Sequence, residues 1–266
     1  MERNIWGNWL QIHTKHRQIN KPRSTGLTMV MDKGLGMRAF DDLIEIAHPY
    51  IDFYKLGFGT AAVTPVRLLR EKIERTEQER IHIYPGGTFF EIAHHHRCTD
   101  QYFQGLRDQG IRWIEISEGT ISIPPKEKRD LIRKAHKLGF SVITEIGKKE
   151  SGTFLTVDEI HTQAALDLEE GVKFVIIEGR ESGIDVGIYD ENGKFDSSLI
   201  RDLANSLPLN QIMFESPLKK QQIQYIKLIG NEVNLGNIPP TEVIALEALR
   251  QHLRSDTFNP TMEVYR

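Results

Sequence analysis

Ser141 to Lys149 reads S-V-I-T-E-I-G-K-K: an apolar run of strand length that ends in a carboxylate, a glycine and two ammonium groups. A buried strand looks like this where it delivers polar side chains to a surface. Two other stretches end the same way, V-K-F-V-I-I-E-G-R-E-S from Val172 to Ser182 and N-Q-I-M-F-E-S-P from Asn210 to Pro217. Glu145, Glu178 and Glu215 therefore close three separate hydrophobic runs, and Glu115 closes a fourth in I-R-W-I-E-I-S-E-G from Ile111.

Working outward, strand-like runs begin near Leu27, Ile51, Arg80, Ile111, Ser141, Val172, Gln211 and Glu232. Helical patterns lie after them, at Ala39 to His48, Thr64 to Thr76, Phe89 to Gln109, Pro125 to Leu138, Thr156 to Glu170, Ser197 to Ser206, Leu218 to Ile229 and Thr241 to Arg254. Thr156, Asp196 or Ser197, and Thr241 are placed as N-caps, with Gly110, Gly139, Gly171 and Gly230 as C-terminal stops. Eight strands alternating with eight helices at an interval of about 30 residues predict repeated βαβ units and a parallel sheet.

An open sheet and a closed barrel both satisfy that alternation. The ends of nearly every run are polar: Asp32 and Lys33, Lys55, Thr88, Glu115 and Glu118, Glu145 and Lys148, Glu178 and Arg180, Glu215, Asn234 and Asn237. Eight strands spaced by about 4.8 Å would spread these over more than roughly 30 Å in an open sheet. Closure gathers them at one mouth, where barrel enzymes keep their sites, so the expectation is an α/β fold of the (β/α)8 TIM-barrel type in a single domain. Residues 1–24 are expected to form an arm or short helix, 25–254 the barrel and 255–266 a tail. The arm carries Trp6 and Trp9, which leave two alternatives open: a subunit contact in a homo-oligomer, or burial on the same chain.

A net charge of −3 with 27% charged residues of both signs offers no basic field for nucleic acid, and points to small-molecule work. No apolar run approaches the roughly 20 residues of a membrane span, and the N-terminus has no apolar signal core. A single cysteine, Cys98, excludes an intramolecular disulfide and a thiolate zinc cluster. These features lead us to expect a cytoplasmic protein without nucleic-acid or membrane partners.

Two motifs carry less than they promise. The sequence G-L-G-M-R-A from Gly34 to Ala39 resembles a dinucleotide fingerprint, but the acidic ribose-binding position at the end of the next strand is Lys55. His94, His95 and His96 are consecutive on a helix and so point about 100° apart, which prevents convergence on one ion without help from other segments.

The strand-end glutamates differ in kind, because a charge after a buried apolar run is costly unless it is paired or bound to a cation. One compensation is ion pairing with Lys55, Lys148 and Arg180 around the rim. The other is a hard divalent ion such as magnesium, held by two or three carboxylates and open to an anionic substrate. Strand parity puts Glu178 and Arg180 on one face, and Thr28, Val30 and Asp32 on one face, whereas Glu145 and Lys148 fall on opposite faces. Lys148 reaches the mouth only if the strand ends near Gly147. Pro85-Gly86-Gly87-Thr88 and the Gly236-to-Thr241 segment, which leads into a helix, are candidate phosphate loops.

These motifs together resemble the phosphosulfolactate synthase family: M-D-K-G at Met31 to Gly34, D-F-Y-K-L-G-F-G-T at Asp52 to Thr60, Y-P-G-G-T at Tyr84 to Thr88, I-S-E-G-T at Ile116 to Thr120, T-E-I-G-K-K at Thr144 to Lys149, I-I-E-G-R-E-S at Ile176 to Ser182 and N-L-G-N-I at Asn234 to Ile238. The resemblance covers about residues 24–254 and leaves out the triple histidine and the arm. It implies a barrel that adds sulfite to phosphoenolpyruvate with Mg2+ to give (2R)-phospho-3-sulfolactate, a carbon-sulfur lyase acting in reverse. Such enzymes serve coenzyme M biosynthesis or a route ending in sulfolactate. On this reading Glu115, Glu145 and Glu178 bind the metal, and Lys148 protonates C2 while Asp32 and Lys33 complete the catalytic mouth. Lys55, Gly87, Thr88, Arg180, Glu215, Ser216, Gly236 and Asn237 bind the substrates. Two competing readings are an aldolase-like barrel with Lys148 as a Schiff-base lysine, and a non-catalytic barrel acting as a binding subunit.

Overall fold

A computed structural model describes residues 17–148, 154–180 and 182–258. Trp6, Trp9 and the last eight residues lie outside the described residues, so the readings of the arm and the end of the tail fall there too. In chain order the elements are β1 (Thr28–Asp32), α1 (Met37–Ala47), β2 (Phe53–Leu56), α2 (Thr60–Val63), α3 (Val66–Gln78), β3 (His82–Pro85), α4 (Gly87–His95), α5 (Thr99–Asp108), β4 (Trp113–Ser117), α6 (Pro125–Lys137), β5 (Ser141–Ile146), α7 (Val157–Glu169), β6 (Phe174–Ile177), α8 (Ser197–Ser206), β7 (Ile212–Glu215), α9 (Lys219–Leu228), β8 (Leu235–Ile238) and α10 (Val243–Arg250).

The strands pair in parallel in the order β3-β2-β1-β8-β7-β6-β5-β4. β3 and β4 lie side by side and bring the ring round, without a hydrogen-bonded register between them, so the sheet is a nearly closed (β/α)8 barrel. All eight expected strands are present. Where the local chemistry is explicit, the helix ends follow it: Thr156 and Glu159 form a reciprocal capping box on α7, and Asp196 caps α8. Gly110, Gly139, Gly171 and Gly230 take left-handed backbone just past α5, α6, α7 and α9.

Two helix readings are corrected. The single helix expected over Phe89 to Gln109 is two, α4 and α5, broken where Arg97 adopts a φ of 58°. Its apolar periodicity runs on across the break because both pieces bury the same side of the barrel wall, through Phe90 and Ala93, then Tyr102, Phe103 and Leu106. Thr241 is not an N-cap. Pro239 and Pro240 set up a 3-10 turn over Pro240–Glu242 with Thr241 inside it, and α10 starts after that turn and stops at Arg250.

Strand parity divides the core in two. Val30, Tyr54, Ile114, Ile116, Val142, Val175, Ile177 and Phe214 point outward against the helices, in one apolar layer. Inside the barrel, Phe53, His82, Trp113 and Phe174 form an aromatic floor, with ring centroids 5.0 Å apart for Phe53–Trp113 and 4.7 Å for His82–Trp113. Met29, Tyr84, Ile143, Ile176 and Met213 fill the middle. Each buried apolar side chain there contributes about 1.5–3 kcal/mol by leaving water. Two residues further along the same strands, the inward positions become Met31, Lys55, Glu115, Glu145, Glu178 and Glu215. The apolar middle layer is thus the base on which the charged mouth stands.

Candidate active site

The mouth encloses a cavity of about 310 Å³. Its charged lining is Lys55, Glu115, Glu145, Glu178, Glu215 and Arg180; Thr88, Thr120 and Asn237 add polar groups, and Met31, Phe58, Gly86 and Gly87 complete the wall. Of the residues singled out from sequence, Lys55, Gly87, Thr88, Glu115, Glu145, Glu178, Arg180, Glu215 and Asn237 are brought together here.

Lys55 is the centre of the charge arrangement. Its ammonium lies 3.0 Å from Glu115 Oε2, 3.1 Å from Glu145 Oε2 and 3.1 Å from Glu215 Oε1. Burial disfavours its charge, but Glu115, Glu145 and Glu215 outweigh that penalty and hold its pKa well above the ordinary lysine range. The rim ion pairing expected of Lys55 is therefore present, although it sits inside the barrel mouth rather than on the rim.

The glutamates have separate surroundings. Glu115 accepts the Gly87 N–H at 2.6 Å with Oε1 and faces Lys55 with Oε2. Glu215 Oε2 accepts the N–H groups of Gly179 at 3.0 Å and Arg180 at 2.9 Å. Glu178 Oε1 accepts the Arg180 N–H at 2.6 Å. The left-handed backbone of Arg180, φ 55°, turns its N–H back toward both carboxylates. Glu145, Glu178 and Glu215 each offer a carboxylate oxygen, and these oxygens all lie within 4.8 Å of one another. Among the described residues, four buried glutamates share the mouth with Lys55 and Arg180 as the lining cations, so the donor set fits a hard divalent ion that takes oxygen ligands. Among the described residues the converging trio is Glu145, Glu178 and Glu215, whereas the expected trio was Glu115, Glu145 and Glu178.

Gly87 was expected to present its N–H to an anion, but that N–H belongs to Glu115. Its lack of a side chain is still required, since a Cβ there would collide with Ser117 Oγ. Asp32 is turned away from the cavity. It shares the outer face with Val30, accepts N–H bonds from Gly34 and Leu35 at 2.7 and 2.6 Å, and pairs with Lys72 of α3. Lys33 is exposed in the loop after β1 and does not line the cavity. Ser216 and Gly236 are also off the lining. Ser216 is fully buried after β7, and a Cβ on Gly236 would meet Met29 and Met213 inside the barrel.

Asn237 reaches the cavity by a backbone irregularity. Thr28 pairs with Leu235 but Val30 pairs with Ile238, so β8 carries one extra residue there, and Asn237 adopts a φ of 54°. Such a bulge re-aims a side chain that regular alternation would send outward. Its Oδ1 is buried without a hydrogen-bond partner among the described residues.

Lys148 follows Gly147, whose φ of 132° ends β5 as anticipated. Its ammonium donates to the carbonyls of Glu118 at 2.6 Å and Ile121 at 2.9 Å, and it does not line the cavity. It stands instead behind Thr120, which does. Glu91 was missed by the sequence reading. It is a buried carboxylate on α4 that accepts the N–H groups of Gly119 and Thr120 and the Ser117 hydroxyl. An acid inside the apolar run F-F-E-I-A was the available signal. Met31 and Phe58 were missed too; parity with Met29 would have found the first.

No described helix is long and apolar enough to cross a membrane. In fold, the chain is similar to the YdjI aldolase from Escherichia coli, with a TM-score of 0.53 at 13% identity over 90% of this chain and 83% of that one. It is also similar to 3-hexulose-6-phosphate synthase from Salmonella typhimurium, with a TM-score of 0.55 at 13% identity over 86% and 100%. At this identity the likeness concerns architecture alone. Sequence comparison goes further. The model of the (2R)-phospho-3-sulfolactate synthase family matches residues 16–256. A phosphosulfolactate synthase from Methanothermobacter thermautotrophicus is 44% identical over 239 residues, covering 89% of this chain and 93% of the relative. Those from Methanocaldococcus jannaschii and Bacillus subtilis are 41% identical over 88% and 94%, and 37% identical over 91% and 95%. With the strand-end glutamates gathered at one mouth and the match running nearly end to end, the chain belongs to the phosphosulfolactate synthase family.

Proposed function

We propose that this barrel catalyses the magnesium-dependent addition of sulfite to phosphoenolpyruvate, giving (2R)-phospho-3-sulfolactate. The observation that carries the metal part of this reading is the convergence of Glu145, Glu178 and Glu215, three buried carboxylates whose oxygens lie within 4.8 Å of one another. These three residues would hold the ion. Magnesium, when bound, supplies positive charge to the substrate carboxylate as that group gains electron density.

The chain's own residues account for the rest. As sulfite sulfur bonds to the methylene carbon C3, the C2–C3 π electrons move toward C2 and the carboxylate, and C2 then takes a proton. Lys55 keeps Glu115, Glu145 and Glu215 from repelling one another and is a poor proton donor, because the same carboxylates hold its proton firmly. Arg180, Thr88 and Asn237, which line the cavity, bind the phosphate and sulfonate oxygens. Lys148 is assigned the proton for C2. Its ammonium waits on the Glu118 and Ile121 carbonyls beside Thr120 and must leave them to reach the cavity. The Schiff-base alternative falls on the same Lys148 and is separated by borohydride trapping with a carbonyl substrate, because sulfite addition forms no imine.

Calorimetric titration of chelator-treated protein with MgCl2 tests the metal assignment. Binding with a stoichiometry near one, abolished by Glu178→Gln, supports it; no heat of binding with wild-type protein overturns it.

A further inference from the structure

The loop that follows β4 is gripped from two sides. From α4, Glu91 Oε1 accepts the Gly119 N–H at 3.1 Å, and Oε2 accepts the Thr120 N–H at 2.7 Å. From the end of β5, Lys148 Nζ donates to the Glu118 carbonyl at 2.6 Å and the Ile121 carbonyl at 2.9 Å. The Glu118 carbonyl and the Gly119 N–H belong to one peptide unit. That unit therefore lies between a carboxylate and an ammonium, with its dipole aligned to both, so each contact strengthens the other. Glu91 is buried and Ser117 adds a third donor to it, so the carboxylate is bolted to the wall. The loop it holds is the sole perch that the described residues give Lys148, and it carries Thr120 to the cavity.

We propose that Glu91 is a positioning residue for Lys148: acting through the Glu118–Gly119 peptide, its carboxylate sets where the ammonium waits and how firmly it is held. Its consequence for turnover rests on the assignment of Lys148 as the proton donor, whereas the positioning itself does not.

The test is competitive labelling of lysine amines with acetic anhydride in the native full-length chain at fixed pH, read by mass spectrometry, with exposed Lys33 as the internal reference. Glu91→Gln puts a donor where an acceptor is needed. It is expected to raise the Lys148-to-Lys33 labelling ratio about fivefold, the effect of losing roughly one hydrogen bond. It should also lower kcat about tenfold or more, with KM for phosphoenolpyruvate within about twofold. Glu91→Asp, which keeps the charge, should restore part of both; if Glu91→Gln does not fold, Glu91→Asp is read alone, with a rise of about twofold. A ratio that stays at the wild-type value overturns the proposal. A ratio that rises while kcat holds upholds the positioning and removes Lys148 as the acid.

Discussion

Lys55 meets Glu145 at 3.1 Å across the barrel lumen, although their strands, β2 and β5, are three apart even by the shorter way round, through the β3–β4 contact. That ion pair, with its counterparts at Glu115 and Glu215, puts one ammonium among three carboxylates, all of them buried. Removing the cation leaves like charges buried together. Lys55→Met is expected to lower the stability by about 3–5 kcal/mol, measured by denaturant unfolding. Millimolar MgCl2 should recover part of the loss. An unchanged midpoint would refute the charge-balancing role.

Asp32 gives a stability effect with a defined pH window. Burial alone would raise its pKa, but the Leu35 N–H, Lys72 and the Gly34 N–H outweigh it and hold the folded-state value below the ordinary one. The stabilisation is therefore full above the unfolded pKa of about 3.9 and is lost as pH falls through the folded value. Asp32→Asn should be about 1–3 kcal/mol less stable than wild type at pH 7. That difference should shrink below about pH 4. A difference that persists undiminished at pH 2 would contradict the account.

Gly147 works at two levels. Its φ of 132° is open to glycine and strained for other residues, and a Cβ built there would stand 2.5 Å from Glu178 Cβ. Gly147→Ala should displace Glu178, cost about 1–3 kcal/mol in stability and weaken magnesium binding at least tenfold by calorimetry. Wild-type affinity in this variant would mean that Glu178 does not hold the ion.

For Asn237 the carboxamide and the backbone can be separated. Asn237→Gly keeps the left-handed bulge and removes the side chain; Asn237→Ala also strains the backbone. Both should raise KM for phosphoenolpyruvate about tenfold, the alanine variant also losing about 1 kcal/mol of stability. If the glycine variant kept a normal KM, the side chain would have no part in binding.

The barrel was legible because its signals are local and periodic. Each strand is a short apolar run, and each mouth residue is the charge that ends it, as with Glu145 and Glu178. What was not legible depended on direction and distance. Asp32 ends its strand as Glu145 does, but it sits one step out of phase with Met29 and Met31 and so faces the helices. Asn237 breaks alternation the other way, through a bulge that no residue pattern announces. Glu91 lies in a helix and acts on a loop 26 or more residues away, a relation that only the packing of α4 against β4 creates. The sequence reading put Glu115 among the metal ligands and Glu215 with the substrate; the hydrogen bonds from Gly87, Gly179 and Arg180 separate their surroundings.

The most direct measurement is phosphorus NMR of the purified chain with phosphoenolpyruvate, sulfite and MgCl2. The account predicts that the phosphoenolpyruvate resonance is replaced by that of a new phosphate ester only when sulfite and a divalent cation are both present. It further predicts that Lys148→Ala slows the conversion at least a hundredfold. Phosphoenolpyruvate left intact under these conditions, or consumed equally well without sulfite or after chelation, would contradict it.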